Sequence, residues 1–166
     1  MVNPKMPEQA DNIVGHLRLL ARDGDDLAVM STLLQDAIIP GVDMDFDRQA
    51  QRFIIIANRF CWETPPLADI TSSDGKPVHE RRLCVINIGN VLDIQHQNWP
   101  PLRQDALFNL LAMRIIELDK GIIAGQMLQF DFSGGISLRA KVDNIDIVLA
   151  DLDAGHLTSL HPTHAI

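Results

Sequence analysis

The stretch from Gln51 to Glu63, QRFIIIANRFCWE, constrains the fold more than any other part of this 166-residue chain. Its side chains alternate between the two sides of an extended backbone, and up to Ala57 both sides are apolar. An extended segment that is apolar on both sides is typical of a central strand whose two faces are covered. The stretch therefore predicts a strand in the middle of a sheet, with polar side chains only toward its end.

Beyond Ala57 this predicted strand carries the polar groups that form the candidate site. Asn58 and Trp62 fall on one side of the strand, while Arg59 and Glu63 fall on the other. Two interpretations of Arg59 and Glu63 stay open. They form a structural ion pair at the edge of the core, or Arg59 presents its planar fork of donors to an anion or a partner. A bidentate pair that is closed off from solvent would exclude a binding site at Arg59.

The clearest helical pattern covers Asp25 to Ile39. Its apolar side chains fall within an arc of about 140° at 100° per residue, with polar side chains opposite. Asp23 is placed to cap the first turn, and Pro40-Gly41 is expected to end the helix. Because a helix with one apolar face must cover another element, this pattern predicts a helix packed on a sheet.

A hairpin is predicted near the end of the chain. Segments 128–132 and 136–142 alternate between apolar and polar residues, and Ser133-Gly134-Gly135 lies between them. Only a three-residue loop keeps the apolar side chains of both strands on one face of the sheet. This register pairs Phe132 with Ile136, Phe130 with Leu138 and Leu128 with Ala140.

Apolar or alternating runs elsewhere predict strands at 17–21, 42–47, 82–94 and 145–149. The run 105–118 fits both a helix and a strand, and its β-branched end favours mainly strand. The whole pattern predicts an α+β fold. We expect a mainly antiparallel curved sheet or partly closed barrel of about seven or eight strands, with one amphipathic helix packed on it.

Polar and proline-rich segments set the expected domain limits. We expect a flexible N-terminal tail at 1–12, a single globular domain at 13–153 and a C-terminal tail at 154–166. Within the domain, segment 64–80 contains three prolines and a Ser-Ser-Asp-Gly cluster. Because it exceeds the usual length of a structureless connection, we expect it to be a mobile loop.

Charge and cysteine usage restrict the classes of function. The chain has a formal net charge of −8 and its longest basic run is Arg81-Arg82, which argues against binding to nucleic acid or an anionic membrane. Cys61 and Cys84 lack metal-ligand spacing and are expected to be buried thiols in a reducing compartment. The polar start resembles no signal peptide, and no apolar run reaches membrane-helix length, so we expect a cytoplasmic protein.

Known catalytic signatures are absent from the sequence, including glycine-rich phosphate loops, Gly-x-Ser-x-Gly elbows and His-Glu-x-x-His helices. His156, His161 and His164 suggest a metal-binding group, but they lie in the expected tail, where a rigid ligand set is not favoured. We therefore expect no catalytic residue, cofactor or metal. The candidate ligand- or partner-binding residues are Asn58, Arg59, Trp62 and Glu63.

Several short motifs occur in the order that one known family shows. They are Leu17 to Ala21, Asp25 to Leu27, Leu33 to Ala37, Arg52-Phe53, Asn58 to Phe60, Trp62-Glu63 and Leu149 to Leu152. Through them the chain resembles an uncharacterised proteobacterial domain-of-unknown-function family, number 2948, over about residues 16 to 153. The C-terminal tail matches poorly. The resemblance implies a short cytosolic bacterial protein with no assigned activity, cofactor or substrate.

Two functional hypotheses follow from these observations. The first is a non-enzymatic interaction domain that binds a protein partner or forms a homo-oligomer, since an open sheet offers edge strands for pairing. The second is a small-molecule or anion-binding protein, or an enzyme, that uses the sheet rim near Asn58, Arg59 and Glu63. A polar-lined cavity beside Arg59 would favour the second hypothesis, and a filled core with a flat apolar surface would favour the first.

Overall fold

A computed structural model of the chain describes residues 16–116, 125–152 and 155–163. These residues form one α-helix and eleven strands, and all the strands belong to one sheet. In chain order the elements are β1 (Arg18–Ala21), α1 (Gly24–Leu34), β2 (Ala37–Pro40), β3 (Met44–Asp47), β4 (Arg52–Phe60), β5 (His79–Ile88), β6 (Val91–Gln97), β7 (Leu107–Ile116), β8 (Gln126–Phe132), β9 (Ile136–Val142), β10 (Ile147–Asp151) and β11 (His156–Thr158).

The sheet is open, and its strand pairs are antiparallel. In the described part of the chain its path runs β1-β10-β5-β4-β2-β7-β8-β9-β6, while β3 pairs with β4 and β11 pairs with β5. The α+β class and the antiparallel sheet are confirmed. The partly closed barrel is wrong, because β1 and β6 stand at opposite ends of this path. The expected strand number is also wrong, since the prediction missed β2, β11 and the break between β5 and β6.

Two residues with left-handed backbone angles account for two of these three errors. Asp36 has a φ of 63° and turns the chain from the end of α1 into β2, so Ala37 and Ile38 are strand residues rather than helical ones. Asn90 has a φ of 56° and divides the apolar run 82–94 between β5 and β6. Asp and Asn adopt this region more readily than most residues. Neither position carries the glycine that would have marked the turn.

β4 lies in the middle of the sheet, as the sequence predicts. On one side it pairs with β5 from Phe53 to Phe60, and on the other side it pairs with β3 and then with β2. Phe53, Ile55 and Ala57 are buried in the main hydrophobic core. We call the side of the sheet that carries these residues the core face, and the opposite side the outer face.

α1 covers the core face with the apolar side that its periodicity predicts. Leu27, Met30 and Leu34 are buried in the same cluster as the core-face residues of the sheet. The Asp23 carboxylate accepts a hydrogen bond from the Asp26 amide at 2.9 Å, which confirms the predicted N-cap. The helix ends at Leu34, and Pro40 instead ends β2.

The last hairpin has the predicted register, with Phe132 opposite Ile136, Phe130 opposite Leu138 and Leu128 opposite Ala140. Gly134 and Gly135 have φ angles of 79° and 73°, a region that glycine adopts without steric cost. The ambiguous run 105–118 is a strand over Leu107–Ile116, as its β-branched end indicates.

The predicted domain limits stay a prediction. The tail expected at 1–12 lies outside the described residues. β5 begins at His79, within the loop expected at 64–80, and the mobility of that loop stays a prediction. β11 lies within the segment 154–166 and pairs with β5, placing His156 opposite Arg81.

Candidate functional site

Strand alternation separates the four predicted site residues into two pairs on opposite faces of the sheet. Arg59 is buried on the core face, and Glu63 reaches it from the segment just beyond β4. Asn58 lies on the outer face, in register with Ile38 of β2, and Trp62 follows on the same side. The structure therefore brings Arg59 and Glu63 together, as one of the two interpretations expects, but it does not bring all four residues into one site.

The Arg59 guanidinium is held between two carboxylates. Its Nε and Nη2 donate to Asp151 Oδ1 and Oδ2 at 2.7 and 2.8 Å. Its Nη1 and Nη2 donate to Glu63 Oε2 and Oε1 at 3.0 and 2.7 Å. The side chains of Arg59 and Asp151 are fully buried, and that of Glu63 is 31% exposed. Both carboxylates thus meet the guanidinium fork in a bidentate manner, the strongest geometry for this pair of groups.

A second arginine extends this cluster along the core face. Arg82 lies directly opposite Arg59 in the sheet and donates to Glu80 Oε1 from Nε and Nη2 at 3.2 and 3.0 Å.

The Leu17 amide donates to Asp151 Oδ2 at 2.9 Å. Burial alone would raise the pKa of Asp151, but hydrogen bonds from Arg59 and the Leu17 amide lower it overall. The hydrogen bonds to Asp151 and Glu63 likewise overcome burial and raise the pKa of Arg59.

This geometry favours the structural interpretation of the Arg59–Glu63 pair. Four N–H groups of Arg59 are directed at carboxylates, and the side chain has no surface open to solvent. Asp151 is the partner of Arg59 that the sequence analysis did not identify. The signal was present, because Ile147, Leu149 and Asp151 fall on one side of β10, which puts a carboxylate in an apolar row.

On the outer face, an aromatic cluster surrounds the end of β4. Phe60 is buried there and its ring lies 4.6 Å from that of Trp62, 5.1 Å from that of His79 and 5.2 Å from that of His161, between ring centroids. The His79 and His161 rings lie 4.8 Å apart. Burial and the nearby His161 lower the pKa of His79, which favours its neutral ring.

Two of the three histidines expected in the C-terminal tail lie in or beside this cluster. His161 packs against Trp62 as well as Phe60, and His156 lies on β11 with its Nε2 at 3.4 Å from Asn58 Nδ2. His164 lies outside the described residues. Trp62 is fixed by its indole Nε1, which donates to the Gln35 carbonyl at 2.8 Å. Among the described residues, no three His, Cys, Asp or Glu side chains converge as a metal site.

A mainly apolar surface covers the outer face of β1, β10, β5, β4 and β2. Cross-strand pairing places its side chains in rows, since partners in register share a face. We call this surface the apolar outer face, and its residues are Leu20, Ile38, Ile54, Ile56, Leu83, Val85 and Val148. Leu83, on the middle strand of the five, is 37% exposed. α1 packs on the opposite side of the sheet.

Asn87 interrupts this surface between Ile54 and Val148, and two further asparagines interrupt it on either side of Ile38. Asn58 and Asn109 pair with Ile38 from β4 and β7, so the three side chains share one row of the outer face. The Oδ1 atoms of both asparagines are buried without a hydrogen-bond donor in the described part of the chain. A buried acceptor without a donor costs about 1–3 kcal/mol, so this row is unfavourable in the isolated chain.

Comparison with known proteins gives a family and no further relative. The model of the family described as "Protein of unknown function (DUF2948)" matches residues 17–164. The chain therefore belongs to this family, and the match includes the C-terminal segment that the sequence motifs left out. No curated protein and no solved structure matches the chain. In the described ranges, no helix is both long and apolar enough to cross a lipid bilayer.

Proposed function

We propose that the chain is a non-enzymatic interaction domain that binds a protein partner, or a second copy of itself, through the apolar outer face. The observation that carries the proposal is the apolar surface on five neighbouring strands, on the side of the sheet away from α1. Monomeric soluble proteins rarely expose a contiguous apolar patch of more than a few hundred Å².

The ion pairs of Arg59 with Asp151 and Glu63 support this proposal over small-molecule binding or catalysis at the sheet rim. An anion at Arg59 would have to displace Asp151 or Glu63 from short hydrogen bonds. Displacing Asp151 would leave a fully buried carboxylate without its cation, at a cost of several kcal/mol. The rim near Asn58, Arg59 and Glu63 is therefore an energetically poor place for a ligand.

The row around Ile38 indicates what the partner supplies. One neighbouring row is apolar, with Ile56 opposite Val85, and the two asparagine carbonyls beside Ile38 lack donors among the described residues. A protein partner that packs apolar side chains on Leu83 and Ile38 gains from their burial. A donor from that partner, reached by rotation of the Asn58 or Asn109 carboxamide, would remove the cost of an unsatisfied acceptor.

The test compares two substitutions that place a charge on different sides of the molecule. Leu83→Glu introduces a carboxylate on the apolar outer face. Val29→Glu introduces the same carboxylate at a 57% exposed position of α1, on the opposite side of the sheet. Thermal unfolding followed by circular dichroism establishes that both variants fold. Sedimentation velocity then measures self-association, and affinity capture from native cells with mass spectrometry identifies proteins that bind.

We expect the wild-type chain and Val29→Glu to behave alike in these assays, and Leu83→Glu to lose the self-association or the captured protein. A folded Leu83→Glu variant that keeps every interaction of the wild type would contradict the proposal. A wild-type chain that stays monomeric and captures no protein would contradict it as well.

A further inference from the structure

The outer face of β6, β9 and β8 is polar, in contrast to the apolar outer face. Strand register aligns three rows of side chains across it, which are Asp93–Lys141–Met127, Gln95–Arg139–Gln129 and Gln97–Ser137–Asp131. We call this surface the polar groove. It contains two cavities of about 260 and 130 Å³, and Gln95 and Arg139 line both of them. Shared lining residues make the two cavities parts of one depression.

A bulge in β6 shapes the larger cavity. Val91 pairs with Val142 and Asp93 with Lys141, so Leu92 is an extra residue between two consecutive pairs. This extra residue shifts the alternation, which brings Asp93 and Gln95 onto the outer face while Leu92 also lines the cavity. Bulges of this kind redirect side chains and are common beside functional sites. Here the bulge builds one wall of the groove.

A relay of hydrogen bonds fixes the orientation of Arg139. Its Nε donates to Gln129 Oε1 at 2.9 Å, and Gln129 Nε2 donates to Asp131 Oδ1 at 2.5 Å. Asp131 Oδ2 in turn accepts from Arg114 Nε at 2.8 Å. Gln129 is itself buried. Arg139 lines both cavities, and with its Nε engaged it forms no hydrogen bond from Nη1 or Nη2 to any described residue.

The three rows contain two carboxylates and two cations, and each carboxylate is paired with a further arginine outside the rows. Asp93 Oδ1 is paired with Arg48 Nη2 at 3.3 Å, and Asp131 is paired with Arg114. Both carboxylates thus have an arginine partner of their own. Lys141 forms no ion pair with a carboxylate of the described residues, which leaves Lys141 and Arg139 to act on a ligand.

We propose that the polar groove binds a small organic anion, with its phosphate or carboxylate group held by Arg139 and Lys141. A planar fork beside an ammonium suits the oxygens of either group. Gln95, Gln97 and Ser137 then offer amide and hydroxyl groups to the polar body of the ligand. Each cavity is smaller than the roughly 300–1,000 Å³ of pockets that bury drug-sized ligands, so the ligand is a small molecule.

Titration of the folded chain with inorganic phosphate and with citrate, at constant ionic strength, tests this site. Backbone amide signals of Gln95, Ser137 and Arg139 are followed by NMR. We expect saturable shifts at these residues with a roughly millimolar dissociation constant for at least one of the two anions. The anion that binds more tightly identifies the head group as phosphate or carboxylate.

Arg139→Gln removes the fork, and Arg22→Gln removes one positive charge from an exposed position between β1 and α1. We expect Arg139→Gln to weaken binding about tenfold, as loss of a charge-assisted hydrogen bond does. Arg22→Gln should bind like the wild type. Equal affinities of the two variants, or shifts that rise linearly without saturation for both anions, would overturn the proposal.

Discussion

Replacing Arg59 with methionine removes the cation between two carboxylates and tests the buried cluster directly. Methionine keeps most of the apolar stem, so the main loss is the four hydrogen bonds to Asp151 and Glu63. Asp151 remains fully buried, and Arg82 Nη1, at 3.8 Å, is beyond hydrogen-bond distance and does not replace them. Breaking a buried pair in this way costs about 3–5 kcal/mol. For a chain of this size, that corresponds to a fall in melting temperature of roughly 6–20 °C.

The pH dependence of this cost distinguishes lost charge pairing from lost packing. In the wild type the pKa of Asp151 is lowered, so its contribution to stability is present above the ordinary value of about 3.9 and is lost as pH falls through the lower folded pKa. Without Arg59, only the Leu17 amide and the more distant Arg82 oppose the effect of burial, so the pKa of Asp151 should rise above its wild-type value. The buried carboxyl group of the variant is then protonated at a higher pH than that of the wild type. The stability deficit of Arg59→Met should therefore shrink as pH falls from 7 toward about 4.

The same substitution at an exposed ion pair serves as the control. Arg48 donates to Asp93 at 3.3 Å, but its side chain is 71% exposed. Arg48→Met should cost no more than about 1 kcal/mol. Denaturant unfolding at several pH values gives both deficits. If Arg59→Met is no more destabilising than Arg48→Met, or if its deficit is the same at pH 7 and near pH 4, the buried cluster does not stabilise the fold as we argue.

Three further perturbations test other parts of the fold. Gly135→Val should lower the unfolding free energy by about 1–2 kcal/mol, because its φ of 73° disfavours a branched side chain, whereas Ser133→Ala should be nearly neutral; equal denaturant midpoints would contradict this. Leu34→Ala should lower the free energy of unfolding by about 2–5 kcal/mol and Val29→Ala by much less, because Leu34 is buried and Val29 is exposed. Thermal melts of the two variants test this difference. Burial raises the pKa of Cys84 to about 12, so its thiol should react with a disulfide reagent only after unfolding, and rapid reaction of the native chain would refute its burial.

Local patterns predicted those parts of the fold that are determined by neighbouring residues. The alternation of Gln51 to Glu63 identified β4, and the glycine pair Gly134-Gly135 fixed the register of the last hairpin. The Asp23 cap spans only four successive residues, Asp23 to Asp26, and was predicted correctly. In each case the deciding interaction spans only a few positions of the chain, so propensity and periodicity were enough.

The missed strands have weak local signals. β2 contains four residues and continues the helical periodicity of α1, so only its pairing with β4 and β7 identifies it as a strand. β11 contains three residues with one apolar side chain, Leu157. Pairing in a sheet stabilises such segments although their own propensity does not, which is why tertiary context overrides sequence pattern here.

In the candidate site, the sequence predicted only the contact between residues that are close together along the chain. Arg59 and Glu63 are four positions apart, and their pairing could be anticipated. Asp151 is 92 positions from Arg59 and reaches it only because β10 and β4 both pair with β5. His161 and Trp62 are likewise far apart in the sequence, and no short-range pattern predicts the contact between their rings. Residues that converge through sheet topology need the strand order, which the sequence alone did not provide.

The strand order also makes the two proposed surfaces separable. Leu83 is on β5 and Arg139 is on β9, and the path between them crosses β4, β2, β7 and β8. At a spacing of about 4.8 Å per strand, these positions lie about 24 Å apart along the sheet. Substitutions at this distance without shared partners have additive effects. A chain that carries both Leu83→Glu and Arg139→Gln should therefore show the association defect of the first and the anion-binding defect of the second, each unchanged in size. If anion binding altered self-association, the two surfaces would have to be coupled through β4. The buried arginine cluster of β4 connects this strand to β5 and β10, and not to β9.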